Sequence, residues 1–271
     1  MTWCIRLVHH CHASAKVITE ATQFTPNFTR GDIIVDVGKL GFFRKKHFRR
    51  MLLESPPNAV FLDECLIRPV LERVRDVEAR KGMTVGAHAA DAFLASIDSL
   101  TPPMWDLESG PARNHIHEAT KISRDVAYTP DEIVGAIRYL LWRPSQAQLR
   151  KTLVAASGLA ATATVGGNPA TPLDVVALFV ETLGQLSDDE WNRPRLDPAI
   201  TAAAQAVQSQ RQGIGHRLLR CALLGSESGP QIVPLLQLLG RQETMVRLKA
   251  AREVLTCLYD KGPSGQPGEC S

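Results

Sequence analysis

The sequence predicts a mainly α fold, a small mixed α/β N-terminal part followed by an all-α C-terminal domain. Three observations carry this. Short strand-like runs, such as the Ile- and Val-rich 32–37 between Gly31 and Gly38, are read only early in the chain. Apolar residues repeat at helical spacing from residue 129 onward. Proline stands at or near the start of three of those later segments.

In chain order, residues 2–8, 32–37 and 58–62 read as strands, the third behind Pro56 and Pro57. Residues 43–54, 64–80 and 85–99 read as helices, and Thr101, Pro102 and Pro103 end that pattern. Residues 104–126 are polar and carry no clear period, so the boundary falls there. The domains are then 1–125, a mixed part with a basic helix, and 128–260, all α, with 261–271 a Gly- and Pro-rich disordered tail.

The second part opens on Thr129, Pro130, Asp131 and Glu132, an N-cap, a Pro at the first helical position and two acids in the first turn. Thr171, Pro172, Leu173 and Asp174 repeat the form, and Gly229 and Pro230 open a third helix. Further helices are expected at 145–158, 197–210, 213–224 and 243–259. Residues 160–168 are small and read as a flexible connector.

Residues 229–239, with their Pro-containing apolar run, are followed by Val246, Ala250, Ala251, Val254 and Leu258. This segment, about 229–259, resembles an armadillo-type helical repeat, in which paired Ala let two helices cross closely. The resemblance implies a protein-binding surface without catalysis. A helical bundle and an armadillo-like stack both fit the remaining helices.

Charge and cysteine usage narrow the function. The chain has 31 basic and 28 acidic side chains, a net charge of +3. Arg44, Lys45, Lys46, Arg49 and Arg50 lie within seven residues, with Phe43 and Phe48 beside them. On a helix these give an apolar anchor and five phosphate-reaching side chains, with aromatics placed to stack on unpaired bases. A solvated helix face, an anionic membrane surface and a nuclear localisation signal are competing readings of the run. Six dispersed cysteines without a CxxC pair point to a reducing compartment, hence an intracellular, cytoplasmic or nuclear protein.

The search for catalytic chemistry is thin. Asp63 and Asp91 each stand beside an apolar run, the pattern of acids that hold Mg²⁺ for phosphodiester cleavage. The strings resemble the metal-binding motifs of PIN-type nucleases, but only 28 residues separate the two acids. Cys4, His9, His10, Cys11 and His12, with His115 and His117, are metal-ligand types at no standard zinc spacing. No P-loop, dinucleotide fingerprint, nucleophile elbow or zincin motif occurs. The four tryptophans read as packing residues.

The sequence therefore predicts a non-enzymatic binding or assembly protein without cofactor or metal. Its C-terminal helices hold a protein partner or a second copy, and residues 43–50 touch nucleic acid. The alternatives are a metal-dependent hydrolase or nuclease built on Asp63 and Asp91, and an armadillo-like adaptor with no nucleic-acid role.

Overall fold

The computed structural model of the protein describes residues 50, 52–54, 60–83, 91–123, 129–160, 163–208 and 213–260. The expected strands at 2–8 and 32–37 and the tail at 261–271 lie outside them. The described fold is mainly α, with two small antiparallel sheets.

A helical run begins at Val60–Leu62, passes through a π turn at Asp63–Ile67 and continues as α1, Arg68–Met83. Leu62, Leu66, Val70 and Val74 are buried at helical spacing, so the strand expected at 58–62 is a helix where it is described. Short apolar runs do not distinguish the two periods, and here the helical one prevails.

Next come α2 (Ala92–Ser96) and β1 (Ile97–Leu100). The expected helix at 85–99 thus ends early. Ile97 is extended, and β1 pairs with β2 (Trp142–Pro144), a partner more than forty positions on that local periodicity does not reveal. A 3-10 turn at Pro102–Met104 precedes α3 (Gly110–Ile122). Ser109 caps α3 by accepting from the Ala112 amide at 3.2 Å, and Pro111 occupies its first turn. This helix fills the stretch that showed no period.

The two Thr-Pro starts are full capping boxes. Thr129 and Glu132 open α4 (Pro130–Leu141), and Thr171 and Asp174 open α6 (Pro172–Gly184), each pair bonding the other's backbone amide. Between them lie α5 (Gln146–Ala160) and a hairpin of β3 (Thr164–Val165) and β4 (Asn168–Pro169). The hairpin replaces the expected connector. Gly166 and Gly167 have φ of 58° and 83°, which two-residue hairpin turns need and glycine supplies.

Three elements complete the chain. Helix α7 (Arg193–Ala206) starts four residues before the expected 197, because Asn192 caps it, and it continues through Pro198. β5 (Val207–Gln208) then joins β3, and α8 (Ile214–Leu224) follows. Helix α9 (Ile232–Asp260) is bent at Gly240, whose φ is 73° and ψ 167°.

The region likened to an armadillo repeat is this bent helix. A stacked repeat would present apolar residues from its second arm. Here that arm buries Glu243 and Arg247, each 2% exposed. The Arg247 guanidinium donates to Glu243 at 2.8 Å, to the Tyr139 and Leu223 carbonyls at 2.6 and 2.8 Å, and to the Trp142 carbonyl at 3.3 Å. Arg143 reaches Glu243 from the other side at 2.6 Å. The arm is thus keyed to α4, β2 and α8 of one bundle.

His115 adds to this centre. Its Nε2–H donates to the Leu140 carbonyl at 2.7 Å, and burial, with Arg247 nearby, holds its pKa below the ordinary histidine value. The unfolded chain therefore takes up this proton first, and stability falls as pH drops below about 6.5. We expect thermal melts from pH 8 to 5 to lose midpoint steadily at the acid end, and His115→Gln to lose less over that range. Equal acid sensitivity in both proteins would remove His115 from the account. Glu243→Ala leaves two guanidiniums facing an empty position and should cost about 3–5 kcal/mol in denaturant titration. A loss below about 1 kcal/mol would mean that Glu243 does not hold the arm to α4 and β2.

Candidate nucleic-acid interface

Of the predicted nucleic-acid contacts, Phe43, Arg44, Lys45, Lys46, Phe48 and Arg49 lie outside the described residues. Arg50 is helical and exposed, and it pairs with Glu54 at 3.7 Å.

The predicted acids have structural work. Asp63 is held by Arg68 at 3.2 Å and by Arg113. Asp91 caps α2, accepting from the Phe93 and Leu94 amides at 3.0 and 3.3 Å. His115 and His117 sit on α3, so two residues apart they point in different directions. His117 Nδ1 faces Glu118 at 3.1 Å while His115 bonds the backbone. Among the described residues, no group of three His, Cys, Asp or Glu is placed to hold a metal ion.

The tryptophans divide. Trp142 is fully buried and Trp191 donates to the Leu236 carbonyl at 2.9 Å. Trp105, expected to pack, is 68% exposed and anchored only through its ring nitrogen to the Leu100 carbonyl at 3.0 Å.

The chemistry gathers elsewhere, along α4, α7, α8 and the 225–231 loop. One cavity of about 360 Å³ is walled by Arg138, Tyr139, Arg220, Ser226 and Ser228. A second, of about 520 Å³, is walled by Arg193, Asp197, Thr201, His216 and Arg217, and Arg220 borders both. The two cavities adjoin at Arg220, and this joint surface, the groove, has four arginines, one histidine and one carboxylate on its walls.

The local sequence builds this groove. Gly213 supplies the left-handed turn, φ 76°, that starts α8. A Cβ on Gly215 would stand 3.3 Å from the Ala204 Cα, so glycine lets α7 and α8 approach closely. His216, Arg217 and Arg220 then fall on one face at three- and four-residue spacing. Gly225, φ 57°, ends the helix.

Electrostatically the groove differs from α1. Every cation on α1 is spent internally: Arg68 on Asp63, Arg73 on Asp131, Arg75 on Glu108, Arg80 on Asp91 and Lys81 on Glu78. Among the described residues, Arg138, Arg193 and Arg217 at the cavities form no ion pair with an acid, and neither do Arg150, Lys151, Lys249 and Arg252 away from them. Arg138 lies over the Tyr139 ring, 4.5 Å from its centroid. Burial, then the Arg220 charge, lowers the His216 pKa, so near neutral pH it offers a neutral ring with a donor and an acceptor. Arg220 holds the Pro230 carbonyl at 3.3 Å, which fixes its stem beside the loop.

Sequence reasoning missed this constellation, although a signal was present. No Asp or Glu occurs between Asp197 and Glu227, and that stretch carries Arg211, His216, Arg217 and Arg220. The run at 44–50 concentrates its charge locally. The groove instead assembles moderate charge from three helices.

Comparisons with known proteins identify the family. Residues 88–252, more than half of the chain, match the family model described as the anticodon binding domain. Glutamate-tRNA ligase 1 of Sphingopyxis alaskensis is 36% identical over 83 residues, 30% of this chain and 16% of that ligase. The glutamate-tRNA ligase of Corynebacterium efficiens is 33% identical over 63 residues, 23% of this chain and 13% of the ligase. That of Methylobacillus flagellatus is 28% identical over 132 residues, 48% of this chain and 24% of the ligase. The chain thus matches a quarter or less of each relative's length. No solved structure matches the chain. The family match takes in most of residues 229–259 and overturns their likeness to an armadillo repeat.

Beneath the groove, Cys221 is fully buried on α8, and burial, with Glu227 nearby, pushes its thiol pKa up to about 12. We expect Cys221 to resist alkylation at pH 8 in the native protein and to react only on unfolding, as peptide mass mapping would read. Labelling as fast as that of a free thiol would mean that the wall formed by α8 opens in solution.

Proposed function

The chain belongs to the anticodon binding domain family, and on that premise we propose that it binds the anticodon arm of a transfer RNA in the groove between α4, α7 and α8. The observation that carries the placement is that three arginines without an ion-pair partner line two adjoining cavities, which the unpaired Arg150, Lys151, Lys249 and Arg252 do not. The cations of α1 are neutralised by neighbouring acids, whereas Arg138, Arg193 and Arg217 face a concave surface without an ion-pair partner among the described residues. An anticodon loop offers what such a surface takes up, a turn of phosphates with unpaired bases that can be splayed apart.

The division of labour follows from geometry. Arg193 and Arg217, both exposed at the rim, meet phosphates. Arg138, lying on the Tyr139 ring, presents a guanidinium plane on which a base can stack. Cavities of about 360 and 520 Å³ fall in the range of ordinary ligand sites and give unpaired bases somewhere to go. His216, Thr201 and Asp197 supply the polar groups that distinguish one base edge from another.

The relatives named above support glutamate-accepting tRNA as the RNA class, and a role beside or within a glutamate-tRNA ligase as the setting. The basic segment, Arg44, Lys45, Lys46, Arg49 and Arg50 with Phe43 and Phe48, extends the same proposal to the RNA backbone on charge grounds.

Fluorescence anisotropy with a labelled anticodon stem-loop RNA tests the reading. Affinity should fall steeply with salt. Arg193→Ala and Arg217→Ala should each weaken binding and each reduce the log-log salt slope by about 0.7. Undiminished affinity in the double substitution, with the melting midpoint unchanged, would remove RNA from the groove. Weakening only by substitutions at 44–50 would move the contact there.

A further inference from the structure

The groove's outer wall is a loop, residues 225–230, and loops of this kind are the least fixed part of a binding surface. Here it is tied down by a helix that lines neither cavity. Gln148 Nε2 donates to the Gly225 carbonyl at 2.8 Å, and the Thr152 hydroxyl stands 2.8 Å from the same oxygen. Both side chains rise from α5, and neither borders either cavity.

The rest of the loop is consistent with a fixed wall. Gly225 has φ of 57°, and a Cβ there would stand 3.0 Å from both Gln148 Cγ and Pro144 Cβ. A Cβ on Gly229 would lie 2.7 Å from Leu224 Cδ1, so the loop closes against the end of α8. The Ser228 amide donates to Ser226 Oγ at 3.3 Å, and Arg220 holds the Pro230 carbonyl at the far end. The carbonyl of Gly225 is therefore the near anchor and that of Pro230 the far one.

We propose that Gln148 and Thr152 are positioning residues for RNA recognition: by holding the Gly225 carbonyl they hold the 225–230 loop at the width the groove presents to Arg138 and Arg220. The assignment rests on the proposed RNA reading for its function but not for its geometry. Pre-organising the wall spares the ordering cost that a free loop would pay on binding. Loss of the anchor should weaken RNA by about fivefold, the worth of a single hydrogen bond, without removing any group that touches it.

Two readouts on the full chain test this. Thr152→Val keeps shape and removes the hydroxyl; combined with Gln148→Leu it removes both donors. Amide hydrogen exchange of residues 226–229 in the free protein should speed up in the double variant while α9 stays protected. Thr152→Ser alone should exchange as the parent does. Binding of the anticodon stem-loop RNA should fall about fivefold in the double variant and stay at the parent value in Thr152→Ser. Unchanged exchange in the loop overturns the positioning role, whatever the RNA does. Faster exchange with parent-level RNA affinity overturns it too, because the loop would then be no part of the recognising wall. Faster exchange in a protein whose parent form binds no RNA overturns the RNA reading and leaves the anchor standing as a loop constraint.

Discussion

The last turn of α4 cannot satisfy its own carbonyl groups, and the bundle is arranged around the side chains that do so. A helix C-terminus leaves four carbonyls without intrahelical partners, and these are buried. Arg247 covers those of Tyr139 and Trp142, His115 covers that of Leu140, and the Thr101 hydroxyl lies 3.2 Å from those of Leu140 and Leu141. The donors come from α9, from α3 and from the turn after β1. Each of those elements is therefore fixed relative to α4 by hydrogen bonds as well as by packing. Burying a guanidinium costs several kcal/mol unless it is fully paired. Glu243, itself gripped by Arg143, supplies the countercharge. Burial alone would raise the Glu243 pKa, but the two guanidiniums hold it below its ordinary value.

The same turn carries the groove. Arg138 and Tyr139 wall the first cavity, and the backbone of that turn is what Arg247 and His115 grip. Leu223, whose carbonyl also receives Arg247, lies at the end of α8, three residues past Arg220. One buried guanidinium thus sets the distance between two walls of a surface it never reaches. Described arginines of this protein are seen in at least three settings: surface pairing on α1, an internal keystone at Arg247, and unpaired at the cavities, as for Arg193 and Arg217. Composition cannot separate these settings, because the residue type is the same in all three.

Local chemistry was legible where it was complete within a few residues. The capping boxes at Thr129 and Thr171 and the apolar periods behind them specify α4 and α6 without outside help. Failure came wherever the deciding partner was remote. Ile97 to Leu100 leave the helical pattern for a strand that begins at Trp142. The Gly166 and Gly167 turn was readable as hairpin chemistry, yet the small residues around it masked the strands. The likeness of residues 229–259 to a repeat came from a real apolar pattern, but Glu243 and Arg247 interrupt it for a purpose that only the opposing carbonyls explain. For the site, the acid-free interval between Asp197 and Glu227 was visible. That Arg138 joins it was not, since the two segments meet only in three dimensions.

The Arg247 contacts have a temporal side. Its hydrogen bonds to Tyr139 and Trp142 close chain separations of 108 and 105 residues. Contacts so distant in sequence form late, since the chain must pay for closing the loop before they reward it. As the polypeptide leaves the ribosome, α4 through α8 can emerge and cap their local ends, yet the walls stay unregistered until α9 arrives. A nascent chain stalled before that point would carry the basic helices in loose order. The groove is therefore a property of the finished bundle, acquired in one late step together with its most costly buried charge.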